Sequence, residues 1–195
     1  MPSPIGHALG GIAVAWGVVP RRNWNAAVVL AAVALAPDLD LLVGDHRGIS
    51  HSLGAAVVAG ALASVAAALR KGVRPGSDPF YTPREGVRPG SDPFFAARWG
   101  TAVALAWTSH VFLDWLSNDT RPPLGVMALW PFTRDYYKAS IEIFPPVSRR
   151  YWESRFWIYN LRAVLAELLI LGPVAALFVA AAFRRKSSRE TRTST

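Results

Sequence analysis

The stretch 96–116, AARWGTAVALAWTSHVFLDWL, runs through 21 residues with one strong base, Arg98, and ends on a histidine and an aspartate. It holds no proline and reads as a helix, and about 20 mostly apolar residues is the length that crosses a bilayer. His110 and Asp114 stand four apart in it, so both side chains share one helical face and one metal ion can take a bond from each. Taken alone, the pair reads more simply as a histidine held by its own helical neighbour. The rest of the chain changes that balance.

Four more apolar segments of helical character surround this one, at 5–19, 26–43, 53–69 and 161–183. The fifth also has crossing length, whereas the first three are shorter and rich in alanine and glycine, so they would span only by close packing or local thinning. With 52% hydrophobic residues and a mean hydropathy of +0.24 over 195 residues, a membrane class is favoured over a soluble bundle. The expected fold is all-α, an integral membrane bundle of about five helices with a long aromatic-rich loop between the fourth and fifth. Residues 1–183 form one membrane-embedded domain in this reading. Within it, 70–98 is a flexible loop in which GVRPGSDPF at 72–80 recurs at 86–94, and 184–195 is a basic, solvated tail. Residues 1–5 carry no basic region or cleavage site, so no removable signal peptide is expected.

If the five segments alternate across a membrane, 13 of the 21 basic residues fall on one face and 8 on the other. The richer face should be cytoplasmic. The same alternation puts His7, the Asp38–Asp40 pair, His46, His51, His110 and Asp114 at the opposite, non-cytoplasmic end, although it was drawn from hydropathy alone. All four histidines thus meet carboxylates at one end of a bundle. Imidazole with carboxylate is the donor mixture that holds zinc, manganese or iron, and zero cysteines leave any metal to nitrogen and oxygen ligands. The net charge of +8 fits loops facing anionic lipid at least as well as nucleic acid, and no nucleic-acid partner is expected.

The remaining motifs refine the site. Asp38 and Asp40 are two apart and diverge on an α-helix, so both reach one centre only if the chain leaves α geometry around Pro37; otherwise one of them orients a ligand histidine. His46 and His51 flank Arg47 and Gly48, where a turn can fold both imidazoles toward the acids. His51 opens the third helix, whose first amides favour anions. Arg47 reads either as a counter-ion to Asp45 or Asp40 or as a clamp on a substrate phosphate. Glu167 inside the fifth segment is expected to face other helices or a wet cavity. The loop after Asp114 holds Trp115, Trp130, Phe132, Tyr136, Tyr137 and further aromatics, which suit a membrane-water interface, either as a plain belt or as a lid. Asp119 and Arg121 read as turn formers within reach of the site if the loop folds back.

Read together, Gly6-His7, Pro37-Asp38-Leu39-Asp40, the run HRGISHS at 46–52 and His110-Val111-Phe112-Leu113-Asp114 followed by Leu129-Trp130-Pro131-Phe132 resemble the bacterial YdjM-type family, described as membrane-bound metal-dependent hydrolases. The resemblance covers residues 1 to about 144. More distantly, the order of these residues is similar to zinc-dependent phospholipase C and its related nucleases. By that resemblance His7, Asp38 or Asp40, His51, His110 and Asp114 correspond to metal ligands, with His46 a further candidate. No histidine follows His110, so one or two metals fit better than three. The resemblance implies an inner-membrane, multi-pass hydrolase with a divalent metal, zinc first and manganese or iron as alternatives. Its substrate would be a lipid or lipid-linked phosphoester, with Asp38 or Asp40 as proton acceptor and Arg47 and Arg121 contacting substrate. The competing class is a non-enzymatic membrane protein whose His and Asp groups transport ions, relay protons or hold a structural metal.

Overall fold

The computed structural model describes residues 1–19, 24–42, 46–69, 94–119 and 122–193, and among these the regular structure is entirely helical. Five α-helices follow in order: α1 Pro4–Val18, α2 Trp24–Leu35, α3 Leu53–Leu69, α4 Phe95–Trp115 and α5 Phe156–Thr193. Two 3-10 helices, Ala36–Leu42 and Ile49–His51, lie between α2 and α3. The α geometry of α2 stops at Leu35 because Ala36 precedes Pro37, and a residue before proline is pushed out of the α region. That is the departure the Asp38–Asp40 spacing demanded.

α1 and α4 are the inner helices. α1 packs on α2, α4 and α5, while α4 packs on α1, α2 and α3. The core between them is built from small side chains: Ala15, Ala26, Ala27, Ala102 and Ala106 with Leu30, Val19 and Val103. Glycines bring the backbones closer still. A Cβ on Gly11 would collide with the α2 backbone at Leu30 and Ala31, and Gly60 and Gly100 face each other across the α3–α4 crossing with no room for a side chain on either. Small residues at crossings are how apolar helices associate where lipid tails offer no hydrophobic contrast.

Outward faces are apolar as well. Val28 and Val29 on α2, Val57, Leu62 and Val65 on α3, and Leu161, Leu165, Leu169 and Leu177 on α5 are all exposed. Among the described residues, two helical segments are long and apolar enough to cross a membrane, Trp24–Leu42 and Phe156–Ala182. This corrects the expected pair. α5 holds its place, but α4 has the length without the hydropathy, because Arg98, His110 and Asp114 dilute its apolar run. The second segment qualifies instead, since the 3-10 turn extends α2 to Leu42.

One expected boundary also moves. α4 begins at Phe95, with Phe95 and Trp99 packed against the core, so 95–98 are helix and not loop; the duplicated sequence before them lies outside the described residues. The backbone of 184–193, within the expected basic tail, continues α5, because its Arg, Lys, Ser, Glu and Thr residues include neither proline nor glycine to end a helix. The long connection between α4 and α5 holds two isolated bridges, Ser117 with Phe144 and Val126 with Tyr137, and folds back over the ligand end of the bundle.

The α3–α4 crossing predicts a contrast in stability. Gly100→Leu should destabilise the purified protein by about 1–3 kcal/mol through overpacking, whereas Gly172→Ala, with nothing within 4 Å of the added carbon, should be neutral or slightly stabilising. Thermal unfolding in detergent checks both; equal effects would deny that the crossing depends on small residues.

Candidate metal centre

Each element delivers its polar residue to the same end of the bundle: His7 from the first turns of α1, Asp38 and Asp40 from the 3-10 turn after α2, His51 just before α3, and His110 with Asp114 from the last turns of α4. One ligand atom each from Asp38, His51, His110 and Asp114 lies within 4.8 Å of the others. The His51 Nε2 is 3.3 Å from Asp114 Oδ2 and 3.5 Å from Asp38 Oδ1. The His110 Nε2 is 3.5 Å from Asp114 Oδ2 and 3.7 Å from Asp38 Oδ1. His7 stacks on His110 with ring centroids 3.8 Å apart, and its Nε2 is 3.4 Å from the other Asp114 oxygen.

These distances are not hydrogen bonds. The Nε2 atoms of His7, His51 and His110, Oδ1 of Asp38 and both oxygens of Asp114 are buried with no hydrogen-bond partner. Leaving so many polar atoms unsatisfied would cost about 1–3 kcal/mol apiece, unless a cation accepts their lone pairs. The residues therefore fit a divalent metal, and the donor set of nitrogen and carboxylate oxygen suits zinc, manganese or iron equally.

The surroundings point the ligands inward. The His110 Nδ1–H donates to the Ala34 carbonyl at 2.7 Å, leaving Nε2 with its lone pair toward the cluster. Asp40 does the same for His51 from behind, with Oδ2 3.0 Å from Nδ1. Asp38 and Asp40 thus grip opposite nitrogens of one imidazole. Asp40 also accepts from Ser50 Oγ at 2.6 Å, from the Arg47 amide at 3.1 Å and from His46 Nδ1 at 2.8 Å. Its place is behind a ligand, and so is that of His46, whose Nε2 turns away to Met1 Sδ and Arg149. Asp40, His46 and His51 form a second cluster of donor type, sharing His51 with the first.

Burial opposes a charged His51, but the carboxylates of Asp114, Asp38 and Asp40 outweigh it and raise the imidazole to about 10. His46 is lowered, chiefly by burial, with its Asp40 contact working the other way.

Arg47 adopts a left-handed backbone, φ 69°, and is buried. Its guanidinium pairs with Asp119 and donates to the Pro123 carbonyl, while the Asp40 carboxylate takes the Arg47 amide instead; Asp45 lies outside the described residues. The loop had to fold back for this. The same loop caps α3: Leu53 and Gly54 amides donate to Ala128 and Trp130 carbonyls and Ala55 to Ser52 Oγ. The start of α3 is thereby closed to the anion it was expected to receive. Arg121 lies outside the described residues.

Glu167 is fully buried and accepts from the amide and hydroxyl of Ser3, one residue before α1. It secures the helix that carries His7, a role visible in sequence only as an acid in an apolar run. Ser50 was legible as the hydroxyl between the two histidines of HRGISHS. Arg149 left no local signal.

The fold and site define a helical protein with a buried histidine and aspartate centre at one end of its bundle. The family described as YdjM inner membrane protein matches residues 1–188, and the chain belongs to it. The family's name makes this an inner membrane protein. No curated protein and no solved structure matches the chain.

Purified protein should retain about one or two divalent ions per chain, and His110→Ala or Asp114→Ala should abolish retention in elemental analysis. His46→Ala should keep it. Because a ligating His51 must shed its proton, apparent metal affinity should climb with pH between 6 and 8, by at most about tenfold per pH unit; chelator competition at both ends of that range measures it, and a flat profile would contradict His51 as a ligand.

Proposed function

We propose that the protein is a membrane-bound metal-dependent hydrolase acting on a phosphoester of a lipid or lipid-linked substrate. The observation that carries this reading is the convergence of buried, partnerless donor atoms from Asp38, His51, His110 and Asp114. A metal held there would lower the pKa of bound water toward neutrality and polarise a phosphoryl oxygen.

The protein's own groups take defined parts. Asp40 fixes the tautomer of His51 and has its oxygens committed to Ser50, Arg47 and His46. Proton acceptance, expected at either acid, therefore falls to Asp38, whose side chain is 15% exposed while Asp114 is sealed. Arg47, its guanidinium paired with Asp119 and its amide on Asp40, holds the 46–52 segment in place beside the centre. The exposed apolar faces of α2, α3 and α5 and the short, glycine-packed α1 and α3 support an integral bundle, with the two long spans as its anchors. Exposed Phe132, Tyr151, Trp152 and Trp157 would lie at the interface, where aromatic rings settle.

A proton or ion relay needs ionisable groups along the depth of the bundle. Glu167, the acid within the fifth helix, is bound to Ser3 at the ligand end. A closed structural site remains the competing outcome. Metal-loaded wild type should hydrolyse a phosphoester from a panel of phospholipids and isoprenoid phosphates, and a chelator or His110→Ala should remove the turnover. A loaded enzyme that turns over nothing beyond the His110→Ala background would leave a structural metal.

The 13-to-8 division of basic residues supports a centre on the non-cytoplasmic side of the inner membrane. Reporter fusions within 72–94 should read as cytoplasmic and fusions near 122–155 as external; the reverse pattern overturns this orientation without separating the ligands.

A further inference from the structure

Behind the metal centre lies a cleft of about 620 Å³ whose lining includes His46, Arg47, Arg149, Arg150 and Tyr159, with prolines 122, 123 and 146 in its walls. It adjoins the centre directly. The His46 ring on its wall sits 5.0 Å from the His51 ring in the cluster, and the two imidazoles share Asp40.

Its cations are unevenly satisfied. Arg150 is held by Glu153 at 2.7 Å. Arg47 is more than nine-tenths buried and keeps two guanidinium nitrogens on Asp119 and Pro123, yet its Nε–H is buried with no acceptor. The Arg149 guanidinium contacts Met1 Sδ at 2.8 Å and His46 Nε2 at 3.1 Å, and no ion pair joins it to a carboxylate among the described residues. A guanidinium on the cleft wall with no carboxylate partner among the described residues lacks one thing: an anion with several acceptor oxygens. Phosphate supplies that geometry, and guanidinium groups bind it through paired N–H donors.

The cleft is larger than phosphate needs, and its size matches pockets that hold whole head groups. Tyr159 joins it to the first turns of α5. From there Leu161, Leu165 and Leu169, spaced four apart and all exposed, run as one apolar stripe along the outer face of that helix. We propose that this cleft is the head-group subsite for a phosphate-bearing amphiphile, with Arg149 recognising the phosphate and the α5 stripe receiving the chain. The proposal deepens the phosphoester reading and rests on it for the link between the bound head group and the reaction.

Binding tests the cleft without turnover. Full-length protein in detergent, with a chelator present, is titrated with dioctanoyl phosphatidic acid, dioctanoyl phosphatidylcholine and inorganic phosphate, following tryptophan fluorescence. Wild type should bind phosphatidic acid about tenfold or more tighter than the choline lipid. Inorganic phosphate should compete only weakly. Arg149→Ala, at an exposed position that leaves the core intact, should remove most of the preference and Arg149→Lys restore part of it, while His110→Ala keeps it. Equal affinity for the two lipids, or an Arg149→Ala variant that binds like wild type, overturns the subsite. So does loss of the preference in His110→Ala, which would put the anion on the metal ligands and leave the hydrolase reading standing. Free phosphate binding as tightly as the lipid would overturn the amphiphile. Selective binding without turnover of any phosphoester by the metal-loaded protein upholds the cleft and defeats the hydrolase.

Discussion

Everything at the functional end of this bundle depends on the cost of burying ionisable groups where no water reaches them. His7, His51, His110 and Asp114 are sealed from solvent, and several of their polar atoms have no protein partner. In an apolar bundle such a cluster survives only if something compensates it, because isolated buried charge costs far more than the few kcal/mol by which a fold is stable. Two compensations are visible. The carboxylates and imidazoles lie 3.3–3.7 Å apart, near enough for opposite charges to attract, and their free lone pairs converge on a volume suited to a cation.

The surrounding architecture serves that convergence. Asp40 is its hub: Ser50, His46 and the backbone of Arg47 all bond to the carboxylate that orients His51, so the 46–52 segment is wound around one side chain. Arg47 accepts a left-handed backbone to make this possible, and Asp119 from the distant loop neutralises its guanidinium. Glu167 performs an equivalent service for α1 by taking the Ser3 amide and hydroxyl. Such interlocking is typical of centres whose ligands must be held in place before the metal arrives.

Packing by small residues lets the ligands meet. α1 approaches α2 at Gly11, and α3 approaches α4 at Gly60 and Gly100. With larger side chains at those crossings, His7, His51 and His110 could not lie within a ring's width of one another. The apolar outer faces are the other half of the same design, since helices that associate through glycine and alanine leave their larger aliphatic side chains pointing outward.

Much of this was legible in the residues alone. Hydropathy marked all five helices because a 3.6-residue structure needs only composition and length to announce itself. The alternation of those helices put every histidine at one end because chain direction reverses at each turn. The spacing of His110 and Asp114 stated a shared face, and Pro37 announced the break in α geometry that lets Asp38 and Asp40 both face His51. What tertiary structure alone decided was which atoms meet. Asp38 and Asp40 differ in role because a 3-10 turn sets them on opposite nitrogens of His51. Arg47 found Asp119 because a loop some 70 residues away folds across it. The start of α3 closed for the same reason, and Arg149 reached His46 across 103 residues. Local spacing fixes direction along one helix; partners between elements depend on how the whole chain packs, and no short stretch of sequence contains that information.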